Sequence, residues 1–401
     1  MININKYDID AIDDFELGIQ RSSLLTYHIA QNTKKIADGI IFVIPGFGED
    51  ANTQYLDKLL KHIVEEYNLI AVYVEYHAFF SRLQNGAKLN FSKSDSKLVS
   101  KLLKSLNIKL NNGKLAPLSI VNTIDENITL RKSSNTLASD FFTNIDITCY
   151  PTKNEYQNFG ILQSLDILTV LYDLNNKGFS NIISSKPIIA MGNSHGGYLS
   201  NLLTKIAPNT FDVVIDNSGY AKPPLRFIIG KEADDGPEFF HNFKNLIVSC
   251  YTHSYWTKDI TSPNYFTQSN YEIRDLLNFS NIKDVKTEYI FYHSIFDTRI
   301  APFDDKKEYI SFLNKNNIKT TLNIIESEKQ VDGSFIKHTD HGLGISNKEL
   351  LKRIIPNVLN KYQKSTPSDI CLKSTIVHKT SEDTVYKLKF TKNKLEIEYL
   401  Q

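Results

Sequence analysis

Residues 187–203 read PIIAMGNSHGGYLSNLL. An apolar run from Ile188 to Met191 leads into Gly192-Asn193-Ser194-His195-Gly196, a G-x-S-x-G pattern. Leu199, Leu202 and Leu203 then follow at helical spacing. A buried strand, a glycine-bracketed serine and an amphipathic helix predict a sharp turn that lifts Ser194 off the end of a sheet. The glycines are needed for steric reasons. A nucleophile on so tight a turn has unusual backbone angles, and side chains at Gly192 and Gly196 would collide with strand and helix. The helix that begins after Ser194 brings its positive end to the same place.

The same strand and helix alternation runs outward from this stretch. GIIFVIPGFG (39–48), LIAVYVEY (69–76), VVIDNS (213–218), KTEYIFYHS (286–294) and TTLNIIES (320–327) read as strands. TQYLDKLLKHIVEEY (53–67), FDDKKEYISFLNKNN (303–317) and NKELLKRIIPNVLNKY (347–362) read as helices. Strands that are apolar throughout, alternating with amphipathic helices, imply a mostly parallel sheet covered on both faces. FELGI (15–19) and LLTYHIA (24–30) are short strand candidates at a sheet edge, and 155–178 reads as one long helix ending at Gly178. Two segments interrupt the alternation, at about 80–151 and 219–286. They are expected as inserted caps over the mouth of an α/β domain spanning 1–362. Residues 363–401 open on QKSTPSD and close on alternating TVYKLKF and KLEIEYL, which predicts a small antiparallel β appendage.

Composition narrows the function classes. Of 401 residues, 46 are Lys or Arg and 45 are Asp or Glu, a net charge of +1. That balance lacks the basic excess of a nucleic-acid binder. The three cysteines, Cys149, Cys250 and Cys371, lie far apart, which favours a reducing compartment over a disulfide framework. MININKYDIDAIDDF carries acids where a secretory leader needs an apolar stretch, so a cytoplasmic location is expected. The apolar runs fall short of the roughly 20 residues of a membrane span. Neither a phosphate-binding glycine motif nor a metal-ligand spacing occurs, so no cofactor and no metal are expected.

A serine nucleophile needs a base and an orienting acid, in the chain order Ser, Asp or Glu, His. Asp297 follows a strongly apolar strand and precedes a helix, which makes it the expected acid. Asp304 and Asp305 fit better as first-turn acids of that helix. KHTDHGLG (337–344) offers His338 and His341, and the glycines after His341 favour it as the base. His28 and His62 read as strand and helix residues, and His195 sits too close to Ser194 to turn back on it. Its backbone amide, with that of Phe47 in IPGFGED (44–50), is expected to form the oxyanion hole. Gly48 is the second candidate for that donor. Gly48, His77 and Tyr220 are candidate substrate contacts, and Glu75, Tyr76, His77, Arg299 and Tyr220 fit packed or solvated positions at least as well.

These residues together resemble the α/β-hydrolase superfamily over about residues 39–362. IIFVIPGFGED resembles its oxyanion strand and turn, AMGNSHGG its nucleophile elbow, HSIFDTRIAP its acid loop and DHGLG its histidine loop. Pro45 stands before Gly46 where many esterases carry His-Gly. The whole chain is similar to a bacterial α/β-hydrolase-like family of undetermined function, found beside surface-glycan or flagellar-modification genes. The resemblance implies a sheet of about eight strands, helices on both faces and acyl chemistry through Ser194, His341 and Asp297. The expected activity is a serine esterase or deacylase acting on a small metabolite or a glycan. An acyltransferase with the same three residues and a non-catalytic binding protein are the alternatives.

Overall fold

The computed structural model describes residues 2–47, 52–110, 116–362 and 367–401. It divides into two units, one comprising 1–79, 159–223 and 267–401 and the other 80–158 and 224–266.

The first unit is built on eight strands: β1 (Ile2–Ile9), β2 (Leu25–Asn32), β3 (Ile40–Ile44), β4 (Ile70–Glu75), β5 (Ile188–Asn193), β6 (Val213–Asn217), β7 (Glu288–Ser294) and β8 (Thr320–Ile325). Their order across the sheet is β1-β2-β4-β3-β5-β6-β7-β8. Strand β2 pairs antiparallel with both neighbours, and every pairing from β4 to β8 is parallel. This is the α/β-hydrolase fold. The central strands are buried along their whole length, as their near-continuous apolar content demands of a sheet covered on both faces.

The longer helices of this unit are α1 (Thr53–Tyr67), α2 (Ile161–Leu174), α3 (His195–Ile206), α4 (Phe303–Lys315) and α5 (Asn347–Lys361). Helix α1 buries Leu56, Leu59, Leu60, Ile63 and Val64, spaced to line one face. The Asn52 side chain caps it by accepting from the Tyr55 amide, and Asn68 ends it in a left-handed conformation. Helix α2 starts at Ile161, six residues later than the sequence suggests. Phe159 and Gly160 have φ of 46° and 120°, which no helix tolerates. Gly160 also lies so close to α3 that a Cβ there would stand 2.8 Å from Leu202 Cδ2.

The amino-terminal strand is Ile2–Ile9, and FELGI is a loop closed by a bridge between Asp14 and Ile19. The Asp14 carboxylate accepts the Glu16 and Leu17 amides, a turn that competes with extended structure. Residues 267–286 belong to the first unit and carry the helix Gln268–Arg274. Arg274 is buried against Glu16, at 2.5 Å between Nη2 and Oε2. The carboxyl-terminal strands Thr375–Lys379, Val385–Phe390 and Leu395–Leu400 form an antiparallel meander. Tyr386 of its middle strand donates to the same Glu16 at 2.8 Å.

The second unit draws both excursions into one four-stranded sheet, ordered Lys88–Asn90, Thr143–Tyr150, Leu246–Thr252, Phe239–Asn242. The two middle strands, one from each excursion, pair in parallel. Helices Lys93–Ser105 and Pro117–Ser133 complete its core through Val99, Val121, Ile124 and Ile128, packed with Ile147 and Val248.

Candidate active site

The carboxyl ends of the parallel strands bring the chemistry together, as is usual in such sheets. Ser194 stands between β5 and α3 with φ 52° and ψ −119°. A non-glycine residue there is strained, and surrounding bonds must hold it. Its amide donates to Asn217 O at 2.8 Å, and its carbonyl accepts the Tyr198 amide at 3.1 Å. The bracketing glycines are obligatory. A Cβ at Gly192 would lie 2.1 Å from the Gly196 carbonyl carbon, and one at Gly196 would lie 1.9 Å from Ile44 O. A Cβ at Gly197 would lie 2.4 Å from Asp216 Oδ1.

Two further loops reach Ser194. His341, in the loop between β8 and α5, has Nε2 2.8 Å from Ser194 Oγ. Its Nδ1 is 2.6 Å from Asp297 Oδ2, in the loop after β7. An ionised carboxylate only accepts, so Nδ1 carries the proton and Nε2 is free to accept from the serine hydroxyl. The other oxygen of Asp297 accepts the amides of Ile300 and Ala301, each at 3.2 Å. Burial opposes the charge on Asp297. The hydrogen bond and charge of His341, with smaller contributions from His293 and the Ala301 amide, outweigh it and hold the carboxyl below its usual range. His338, the rival base, is exposed. Asp304 and Asp305 occupy the first turn of α4.

Other groups support these loops. His293 Nε2 donates to Ala301 O at 2.9 Å, beneath the acid loop. Burial, reinforced by the charge of Lys306, pushes the His293 imidazole down to about 4, so it is neutral at pH 7. Lys306 and Asp216 form an ion pair at 2.6 Å, both side chains 1% exposed. The remaining acceptor capacity of Asp216 is met by Asn201 Nδ2 and the Gly219 amide, each at 2.7 Å. A buried pair satisfied this fully costs little to keep and much to break.

The expected oxyanion segments lie side by side. The rings of Phe47 and His195 stack at 4.1 Å with 13° between planes, joining the turn after β3 to the start of α3. The His195 ring is buried, with Nε2 2.7 Å from Gln163 Oε1. Gly48 lies outside the described residues. Tyr220 is brought to the site, its ring 6.4 Å from that of His341 and 5.7 Å from that of Phe159. His77 is not. It is fully buried, its amide donating to Asp166 and its carbonyl accepting from Gln163, so α2 ties it into the core. Glu75 and Tyr76 are buried too, whereas Arg299 is exposed. Sequence reading passed over Asn217, Ser218 and His293. The signal was present in VVIDNS, whose polar Asn-Ser ends an apolar strand at the end of the sheet where such sites form. Among the described residues no group of three or more His, Cys, Asp or Glu could hold a metal ion, and no helix is long and apolar enough to cross a membrane.

The chain is similar in structure to Pyrococcus horikoshii acylaminoacyl peptidase, at 12% identity and a TM-score of 0.46. The likeness covers 91% of this chain and 42% of the peptidase, so this chain spans less than half of that protein. It is also similar to esterase B from Lactobacillus Rhamnosis, at 10% identity and a TM-score of 0.43, covering 89% of this chain and 85% of the esterase. Among curated proteins, none matches the sequence. One family model, described as "Protein of unknown function (DUF2920)", matches residues 5–399, nearly the whole sequence, and the chain belongs to that family.

Proposed function

We propose that the protein is a serine hydrolase that cleaves an ester-like acyl bond. The observation that carries this reading is the relay from Asp297 through His341 to Ser194, at 2.6 and 2.8 Å, with the serine on a left-handed turn. Ser194 Oγ attacks the carbonyl carbon while its proton passes to His341 Nε2. The carbonyl electron pair moves onto oxygen, and we assign the amides of His195 and Phe47 to hold it. Collapse of this intermediate expels the alcohol, which takes the proton from Nε2 and leaves an acyl-Ser194. Water then attacks the acyl group through the same relay. Asp297 stays ionised throughout and orients the imidazole. Its depressed pKa supports that role, because the carboxylate keeps its charge as His341 gains a proton.

We assign the substrate to acylated small metabolites or glycans, with Phe47 and Tyr220 supplying aromatic contacts and Phe159 packed behind them. The free thiols of Cys149, Cys250 and Cys371 fit a cytoplasmic enzyme. The test is hydrolysis of a panel of acyl esters, simple and sugar-linked, by wild type and Ser194→Ala. Removing the serine is expected to lower kcat by about 10⁴-fold or more. Equal turnover by the two proteins would refute the reading. Acyl transfer to an added sugar hydroxyl or amine that outcompetes hydrolysis would reassign the enzyme as an acyltransferase.

A further inference from the structure

The carboxyl end of β6 touches the Ser194 turn, the His341 loop and β7, the strand that leads to Asp297. Asn217 O accepts the Ser194 amide at 2.8 Å, and the Ser218 amide donates to Tyr292 O on β7, the strand that leads to Asp297, at 2.8 Å. Both side chains turn to Gly342, the residue after His341. The Gly342 amide donates to Ser218 Oγ at 3.1 Å, and the Gly342 carbonyl accepts from Asn217 Nδ2 at 3.0 Å. Ser218 Oγ in turn donates to Asn217 Oδ1 at 3.3 Å. Three hydrogen bonds thus close a ring in which each residue gives one and takes one. Asn217 is 1% exposed and Ser218 is fully buried, so their polar groups depend on these bonds.

Gly342 needs such a hold. Its φ is 80°, and that of Leu343 is 59°. A Cβ at Gly342 would meet nothing within 4 Å, so glycine is there for its backbone freedom and not for space. That freedom would let the loop swing, and the imidazole of His341 would swing with it. Ser218 has φ 56° itself, a conformation serine adopts at a cost.

We propose that Asn217 and Ser218 are positioning residues that register His341 against Ser194 by fixing both polar groups of the Gly342 peptide. The pair acts through His341 and touches no substrate. The proposal rests on the serine hydrolase reading above.

The test is the second-order rate at which a fluorophosphonate labels Ser194 in the full chain. Four variants are compared with wild type: Asn217→Ala, Ser218→Gly, His341→Ala and Asn217→Ala combined with His341→Ala. Glycine at 218 removes the hydroxyl and suits the positive φ, so it keeps the test alive if Asn217→Ala fails to fold. Each clamp variant is expected to label about tenfold to a hundredfold more slowly, the scale of a misplacement near 1 Å. In the His341→Ala background, Asn217→Ala is expected to change the rate less than about twofold, since a pair acting on one group is silent once that group is gone. A merely structural role would slow labelling by the same factor in both backgrounds, and that result overturns the proposal. Wild-type rates in both clamp variants overturn it too. A wild type that never labels at Ser194 removes the hydrolase reading and the proposal together.

Discussion

His378, on the first strand of the carboxyl-terminal meander, makes stability depend on pH in a way that can be worked out. It is 3% exposed, with Nδ1 3.2 Å from Ser280 Oγ. Burial, reinforced by the nearby charge of Lys205, pushes its pKa down from 6.5 to about 3. Above pH 6.5 neither the folded nor the unfolded chain binds this proton, and His378 contributes no pH dependence. Below 6.5 the unfolded chain takes it up while the folded chain does not, so stability falls as the pH falls. The loss approaches about 1.4 kcal/mol per pH unit, reaches about 2 kcal/mol by pH 5, and levels off near about 5 kcal/mol below pH 3. Against a typical total of about 5–15 kcal/mol, this one side chain matters. The perturbation is His378→Asn, whose amide oxygen can take the place of Nδ1 opposite Ser280 and does not titrate. The assay is urea unfolding at half-unit steps from pH 8 to 5, for both proteins. The variant is expected to start lower, because it leaves space unfilled, and to lose about 2 kcal/mol less than wild type on acidification. Parallel pH profiles would mean that His378 takes up its proton in the fold, and would refute the argument from burial.

Three further substitutions probe the site. Glycine at 194 relieves a left-handed conformation that alanine does not, so Ser194→Gly should unfold at higher denaturant than Ser194→Ala, by about 1 kcal/mol; the reverse order would deny the strain at the turn. Lys306→Met strands the Asp216 carboxylate in the core and should cost about 3–5 kcal/mol by the same measurement, whereas a loss under about 1 kcal/mol would show that the pair is not buried as described. Gly196→Ala places a methyl group 1.9 Å from Ile44 O and should cost about 3 kcal/mol, the upper end of overpacking, and abolish labelling of Ser194; an unchanged melting temperature with intact labelling would contradict the geometry of the turn.

What the sequence disclosed followed from local signals. Helix α1 has in the structure the bounds that periodicity suggests, Thr53–Tyr67, because its leucines repeat on one face. Ser194, Asp297 and His341 stood out because each follows an apolar strand at the end where the sheet gathers its loops. The features that escaped were non-local or nearly free of pattern. Strand β1 lies at a sheet edge with half its side chains in water, so its residues look like a loop. The strands 143–150 and 246–252 lie about a hundred residues apart, and neither excursion read alone can reveal a sheet that needs both. Helix α2 starts later than its periodicity suggests because Phe159 takes a positive φ that no composition rule anticipates. His77 sits at a strand end, where rim residues are expected, yet the carboxylate of Asp166, 89 positions along, draws its backbone into the core. Asn217 and Ser218 carry only the weak signal of a polar pair ending an apolar strand. Their importance lies in two loops and strand β7, from distant parts of the chain, meeting at one dipeptide.

The central claim is that Ser194 is a nucleophile activated by His341 and Asp297. Intact-mass analysis and peptide mapping after treatment with a fluorophosphonate test it most directly. The expected result is one adduct per chain, on Ser194, absent from Ser194→Ala and formed about 10⁴-fold more slowly in Asp297→Asn. A folded wild-type chain that takes up no adduct, or an adduct that persists in Ser194→Ala, would contradict it.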